Sequence, residues 1–388
     1  MSEDQARPER HDKAPEGETR CGFIAIIGAP NAGKSTLVNT LVGTKVAIVS
    51  RKVQTTRTTL RGIAIEGLSQ LVFIDTPGIF APKRRLDRAM VDAAWGGAGD
   101  ADLVLLVVDA AKGVDEDVER ILGKLASTPV TLEAETRSGS RLERGAPHNV
   151  PSPLVGEGQG GGESQTSEIA GSPTPRPSPQ EGGESGRGRG EAGDRLSGPA
   201  PEQPSRLLLA LNKVDRVRKE RLLELAAEIN ARVPFAGTFM ISALDGDGVA
   251  DLHAYLARSV PPGPWHYPPD EVTDAPMRVL AAEITREKIY DRLHDELPYQ
   301  IAVETTAWTE QGKALRVEQT IFVERDSQKR IVLGKGGAMI KQLSMESRKE
   351  LSQIIDRPVH LFLFVKVREG WGDDPARYRD LGLTFPKG

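Results

Sequence analysis

Gly28, Ala29, Pro30, Asn31, Ala32, Gly33, Lys34 and Ser35 form a run of two glycines five positions apart, closed by a lysine and a hydroxyl. It follows an apolar stretch and opens an amphipathic one. That context suits a loop whose backbone N–H groups turn inward around a phosphate, aided by the positive end of the next helix. Lys34 would reach the β and γ oxygens and Ser35 would offer its hydroxyl to Mg²⁺. Asp75, Thr76, Pro77, Gly78 and Ile79 follow the apolar run 71–74. A carboxylate there can hold Mg²⁺ through water, and the Gly78 N–H can meet a γ-phosphate. Asn212, Lys213, Val214 and Asp215 follow the run 207–211. The Asp215 carboxylate can accept both the N1–H and the 2-amino group of guanine, two donors that adenine does not present together. Ser242, Ala243 and Leu244 follow the run 238–241 and would back the base through backbone N–H groups. Four short motifs in this order, each at the end of an apolar run, point to GTP or GDP.

The elements that must carry these loops alternate. Apolar runs at 22–27, 71–74, 103–108, 207–211 and 238–241 are separated by amphipathic stretches at 34–42, 84–95, 115–125, 218–232 and 249–258. Such a pattern predicts an α/β doubly wound parallel sheet covered on both faces. Ligands of such sheets bind at the carboxyl ends of the strands. The alternation is interrupted at 131–205, where 75 residues hold 15 glycines and 10 prolines and no aromatic residue. This segment cannot bury enough apolar surface to offset its ordering entropy and is expected to be a disordered insert. With it set aside, Asp75 and Asn212 stand 62 positions apart. The net charge of −4 also belongs wholly to the insert, which carries 7 basic and 11 acidic residues; the remainder is formally neutral. The insert enters just before 207–211, at the end of a strand opposite the ligand edge, and is expected to leave the nucleotide site intact.

Residues 261–276 contain six prolines and read as a linker. Beyond it the pattern is helix, strand, strand, glycine turn with helix, strand, an α+β unit of about 100 residues. Gly334, Lys335, Gly336 and Gly337 form a GxxG turn before the amphipathic stretch 338–355. Such a turn lets the backbone approach a sugar-phosphate chain, and the following helix offers its N-terminus. Lys329, Arg330, Lys335, Lys341, Arg348 and Lys349 face only Glu346 in this window. Lys329, Arg330, Lys335 and Lys341, with the three glycines, are the candidate RNA-binding residues. The expected organisation is a 1–20 tail, a G domain over 21–260 holding the insert, the linker, a type II KH domain over 277–371 and a 372–388 tail.

The chain resembles the Era family of bacterial ribosome-assembly GTPases. The resemblance is carried by GAPNAGKSTLVNTLVG (28–43), SRKVQTTR (50–57), DTPGI (75–79), NKVD (212–215), EITREKIYDRLHDELPYQ (283–300), VLGKGGAMIKQL (332–343) and PVHLFLFVKVREGW (358–371). It implies a GTPase followed by a KH domain, with Thr36 joining the nucleotide-binding set and Lys34, Thr56 and Gly78 as the catalytic group. Thr56 would face Mg²⁺, with Thr55 as the alternative. The resemblance also implies binding near the 3′ end of 16S ribosomal RNA during maturation of the 30S subunit, GTP favouring engagement and hydrolysis permitting release. A monomeric, cytoplasmic protein in peripheral association with the inner membrane is implied in the same way.

Ile79 stands where a Ras-like enzyme carries its water-orienting glutamine, and an aliphatic side chain cannot polarise water. Intrinsic hydrolysis is therefore expected to be slow. Asn31 stands where related GTPases help hold K⁺ beside the phosphates; a loop-stabilising asparagine is the equal alternative. The single cysteine, Cys21, excludes an internal disulfide and a cysteine zinc site. No apolar run reaches the length of a membrane span. Two other functions fit the same motifs: an RNA chaperone that binds nucleotide without turnover, and a membrane signalling GTPase whose KH fold binds protein.

Overall fold

The computed structural model describes residues 17–49, 60–82, 85–127, 206–293, 301–370, 375, 378 and 383–385. The 131–205 insert, Thr55 and Thr56 lie outside the described residues.

A six-stranded sheet has the order β2-β3-β1-β4-β5-β6. Its strands are β1 (Arg20–Ile27), β2 (Leu60–Glu66), β3 (Ser69–Asp75), β4 (Leu103–Asp109), β5 (Leu207–Asn212) and β6 (Gly237–Ile241). Period-two alternation sorts their side chains to opposite faces. Ile24, Ile26, Leu103, Leu105, Val107, Leu208 and Ala210 meet α1 (Lys34–Val42) and α5 (Val249–Ser259). Ala25, Ile27, Val104, Leu106, Val108, Leu209 and Leu211 meet α2 (Arg85–Asp100), α3 (Glu116–Ser127) and α4 (Lys219–Asn230). Both faces of the central strands are buried, which is why they read as unbroken apolar runs.

The sequence pattern predicts a parallel sheet, and five of the six strands follow it while β2 does not. β2 runs antiparallel to β3, from Leu60 opposite Asp75 to Glu66 opposite Ser69. This strand is half-buried at one edge and carries Arg61 and Glu66, so it lacks the apolar run that marks its neighbours. The proline-rich 261–276 segment lies along it instead of spanning open space. The Ile63 N–H donates to the Val272 carbonyl (2.9 Å) and the Thr273 hydroxyl to the Arg61 carbonyl (2.8 Å). Arg61 also pairs with Asp274 at 2.9 Å. The segment thereby covers an otherwise exposed sheet edge.

The C-terminal part has a three-stranded sheet, β7 (Ala302–Gln311), β8 (Ala314–Val323) and β9 (Val359–Val367), with β7/β8 antiparallel and β8/β9 parallel. Its core packs against α6 (Met277–Arg292) and two further helices, α7 (Asp326–Leu333) and α8 (Ala338–Ile355). The apolar residues 331–333, just before the glycine turn, are the last turn of α7. This helix has only eight residues, too short to show a helical period. Gln328 secures its start by accepting the N–H groups of Glu324 (2.8 Å) and Arg325 (3.1 Å). Among the described residues of the expected 372–388 tail, Tyr378 and Leu383 are buried against Ala89 and Met90 of α2. Phe385 stacks edge-on with Tyr378 at 4.8 Å.

Candidate nucleotide and nucleic-acid sites

Strand register brings all four motifs to one edge. Ile26 lies beside Asp75, and Asn212 lies beside both Asp109 and Ile241. The loops after β1, β3, β5 and β6 therefore leave the sheet side by side at its carboxyl end.

The first loop needs its glycines for contact and for backbone shape. Gly28 has φ 151°, and a Cβ there would sit 2.3 Å from the Val107 carbonyl oxygen. Gly33 has φ 97°, with a Cβ position 2.2 Å from the Asn212 side-chain nitrogen. Asn31 adopts φ 61°, a left-handed conformation that asparagine tolerates better than most residues. The buried Lys34 donates from Nζ to the carbonyls of Gly28 (3.1 Å) and Ala29 (3.0 Å). Its pKa is lowered to about 8 because burial penalises the cation, a penalty only partly offset by Asp75. The Ser35 hydroxyl donates to Asp75 Oδ2 at 2.8 Å, so the two oxygens that fit a Mg²⁺ ion are adjacent. Hard-cation sites of this kind use one or two protein oxygens with the remainder from phosphate and water. Among the described residues no group of three or more His, Cys, Asp or Glu gathers for a metal.

The Asp75 loop closes against the first. Thr76 donates its hydroxyl to the Ile26 carbonyl at 2.7 Å, and the Ile79 N–H reaches the Gly28 carbonyl at 3.0 Å. A Cβ on Gly78 would lie 3.0 Å from Pro30, so a larger residue would fit only if Pro30 gave way by a few tenths of an ångström. The Ile79 side chain is 1% exposed and belongs to the apolar core.

Asn212 ties the remaining loops to the first. Its side-chain nitrogen donates to the Ala32 carbonyl (2.8 Å), while its oxygen accepts the N–H groups of Lys213 (2.8 Å) and Ala243 (2.9 Å). Lys213 donates to the Asn31 carbonyl at 2.7 Å and pairs with Asp109 at 2.6 Å. Asp109 was not singled out from sequence, although it ends an apolar run just as Asp75 does. Thr40, also missed, donates to the Ala243 carbonyl at 2.7 Å from the next turns of the helix that begins at Lys34. Thr36 and Val214 sit on these same elements, and Asp215 stays partly exposed beside Arg216. Ser242 bonds to Asp245 at 2.9 Å, and Leu244 is 74% exposed at the rim.

At the second candidate site, Gly334, Gly336 and Gly337 all have positive φ, of 72°, 61° and 79°. Gly337 is the N-terminal cap of α8. Lys329 and Arg330 lie in the last turns of α7, Lys335 in the turn, and Lys341 in the first turn of α8. Arg330, Lys335 and Lys341 are exposed.

Comparison with known proteins gives the family and the order of its domains. Residues 23–135 match the model for "50S ribosome-binding GTPase" and residues 296–372 the model for "KH domain". GTPase Era of a Bradyrhizobium species is 52% identical over 374 residues, covering 96% of this chain and 97% of its own. GTPase Era of Rhizobium meliloti is 50% identical, covering 95% and 94%. The chain belongs to the GTPase Era family. Like the other members it is a GTPase with a KH domain behind its G domain. The crystal structure of Era in complex with MgGDPNP and nucleotides 1506–1542 of 16S ribosomal RNA is similar at a TM-score of 0.70. It is 30% identical and covers 94% of this chain and 99% of that one. A variant of Aquifex aeolicus Era bound to GDP and AlF4⁻ matches with the same figures. Among the described residues, no helix of this Era-family chain is long and apolar enough to cross a membrane.

Proposed function

We propose that this GTPase is a nucleotide-controlled RNA-binding switch that engages 16S rRNA near its 3′ end and assists maturation of the 30S subunit. The observation that supports the nucleotide half of this reading is the bonding of Asn212 to both Ala32 and Ala243, which ties the phosphate loop to the guanine-reading loops. The RNA half rests on the glycine turn at 334–337 and the family. Residues 28–36, 75–79, 212–215 and 242–244 form that site. Lys34 steadies the phosphates, Ser35 and Asp75 hold Mg²⁺, the latter through water, and the Gly78 N–H meets the γ-phosphate. The family resemblance implies that Thr56, or Thr55 in its place, would join Ser35 and Asp75 at the Mg²⁺ ion. Asn31 would help hold a K⁺ ion that offsets phosphate charge, a loop-shaping role being its equal alternative. RNA runs over the 334–337 turn, held by Lys329, Arg330, Lys335 and Lys341. The boundaries adopted for the two domains are 21–260 and 277–371. A cytoplasmic monomer in peripheral contact with the inner membrane completes the reading, on the strength of the family resemblance.

Two measurements test it. Multiple-turnover phosphate release from GTP with Mg²⁺ should proceed, slowly without RNA. RNA crosslinking with sequencing, comparing a GTP analogue with GDP, should mark the 3′ segment of 16S rRNA more strongly with the analogue. Binding of nucleotide without turnover would instead support the RNA-chaperone reading.

A further inference from the structure

The two candidate phosphate-binding turns each open a helix, and the far ends of those helices meet. Helix α1 begins at Lys34, and Lys45 follows its C-terminal end. Helix α8 begins at the 334–337 turn, and Glu350 lies twelve residues along it, about 18 Å from its start. Lys45 bridges Glu287 of α6 at 2.5 Å and also pairs with Glu350. Lys288 joins the same two carboxylates, at 3.0 Å from Glu287. Although burial opposes ionisation, hydrogen bonds from Lys288 and Lys45 hold the Glu350 pKa below its ordinary value. The second oxygen of Glu287 accepts the Val49 backbone N–H at 2.8 Å. The intervening loop is bound back onto α1, since Asn39 accepts the N–H groups of Val46 (2.9 Å) and Ala47 (2.8 Å). Asn39 also donates to the Ala47 carbonyl at 2.8 Å.

Glu287 is only 4% exposed, yet its contacts on the G-domain side are all to the loop leaving α1. A buried carboxylate needs those donors, so displacement of the loop would leave it short of partners. We infer that Glu287 is a positioning residue for the GTPase: it holds Lys45 and the Val49 N–H so that Lys45 joins the loop after the phosphate-loop helix to Glu350 of the GxxG helix, and nucleotide and RNA affinities thereby depend on one another. The joint deepens the proposed switch and rests on that reading. By linkage, the factor by which RNA affinity differs between two nucleotide states must equal the factor by which RNA shifts the preference between those nucleotides.

The test uses the full chain and an RNA of 16S nucleotides 1506–1542. The ratio of RNA affinities in GDPNP and in GDP is measured for the native chain, Lys45→Met and Glu287→Gln. Glutamine keeps an acceptor for the Val49 N–H while removing the charge that Lys45 uses, which protects the fold; thermal unfolding confirms it. The native ratio should exceed about five, the lower end of typical couplings, and both variants should bring it toward one. Variants that keep the native ratio would overturn the role of Glu287 while leaving the switch standing. A native chain that fails to bind this RNA, or binds it equally in both nucleotide states, would remove the switch itself and the joint with it.

Discussion

At the residue scale, Lys34 is the group whose ionisation is tied to ligand binding. Its pKa is lowered to about 8 by burial, against the usual 10.5. Phosphate oxygens placed beside it would restore a high pKa, so the nucleotide-bound state holds a proton that the free state partly lacks above pH 8. Binding should therefore take up about half a proton at pH 8, more as pH rises toward 9, and affinity for GDP should fall with pH over that range. Calorimetry in buffers of different ionisation enthalpy measures this directly; a proton count of zero would show that Lys34 does not approach the phosphates. Asn31 provides a second test. If K⁺ sits beside it, turnover should be faster in K⁺ than in Na⁺, and Asn31→Ala should abolish the difference. Equal native rates in the two salts would leave Asn31 as a loop-shaping residue, consistent with its φ of 61°. Both residues were legible in sequence because the motif fixes their spacing. Asp109 was not, because its partner Lys213 lies 104 positions away and only the β4–β5 register joins them.

Among the elements, the turn between α7 and α8 separates two uses of glycine. A Cβ at Gly334 would lie 2.7 Å from Met339 Cβ and 2.8 Å from the Met339 nitrogen, whereas nothing stands within 4 Å of one at Gly336. Gly336→Ala should carry only the left-handed strain of about 1–2 kcal/mol. Gly334→Ala should carry that strain and also push α8 away from the turn, giving the larger drop in melting temperature and in RNA affinity. Thermal unfolding and RNA titration of the two variants check the order; equal effects would mean that the backbone approach at Gly334 is unimportant. The glycines were legible as a turn, but α7 was not. Eight residues give barely two helical turns, and the helix is held by Gln328 and by burial of Val332 more than by any periodic face. Strand β2 escaped for a related reason: its pattern depends on an antiparallel partner and a proline-rich cover, neither of which is local.

For the whole molecule, the interruption at 131–205 enters between α3 and β5. In a right-handed crossover α3 returns to the amino end of the sheet, where β5 begins. The nucleotide-site loops leave the carboxyl end. Deleting 131–205 should accordingly leave GDP affinity and basal GTP turnover within about threefold of the full chain, roughly 0.7 kcal/mol. Nucleotide titration and phosphate release on the deletion variant measure it, and a tenfold loss would place the insert's influence at the site.

Local chemistry was enough to identify the nucleotide, the order of the two domains and the unusual composition of 131–205. A phosphate loop, a guanine-reading carboxylate and a GxxG turn are each made within a few consecutive residues. Contacts across long separations needed the folded chain. The 261–276 segment became the cover of β2, Tyr378 and Leu383 became part of the α2 packing, and Lys45 met Glu287 across 242 positions. Such contacts leave no periodicity in the chain, because each partner satisfies its charge or apolar surface only after distant elements have packed.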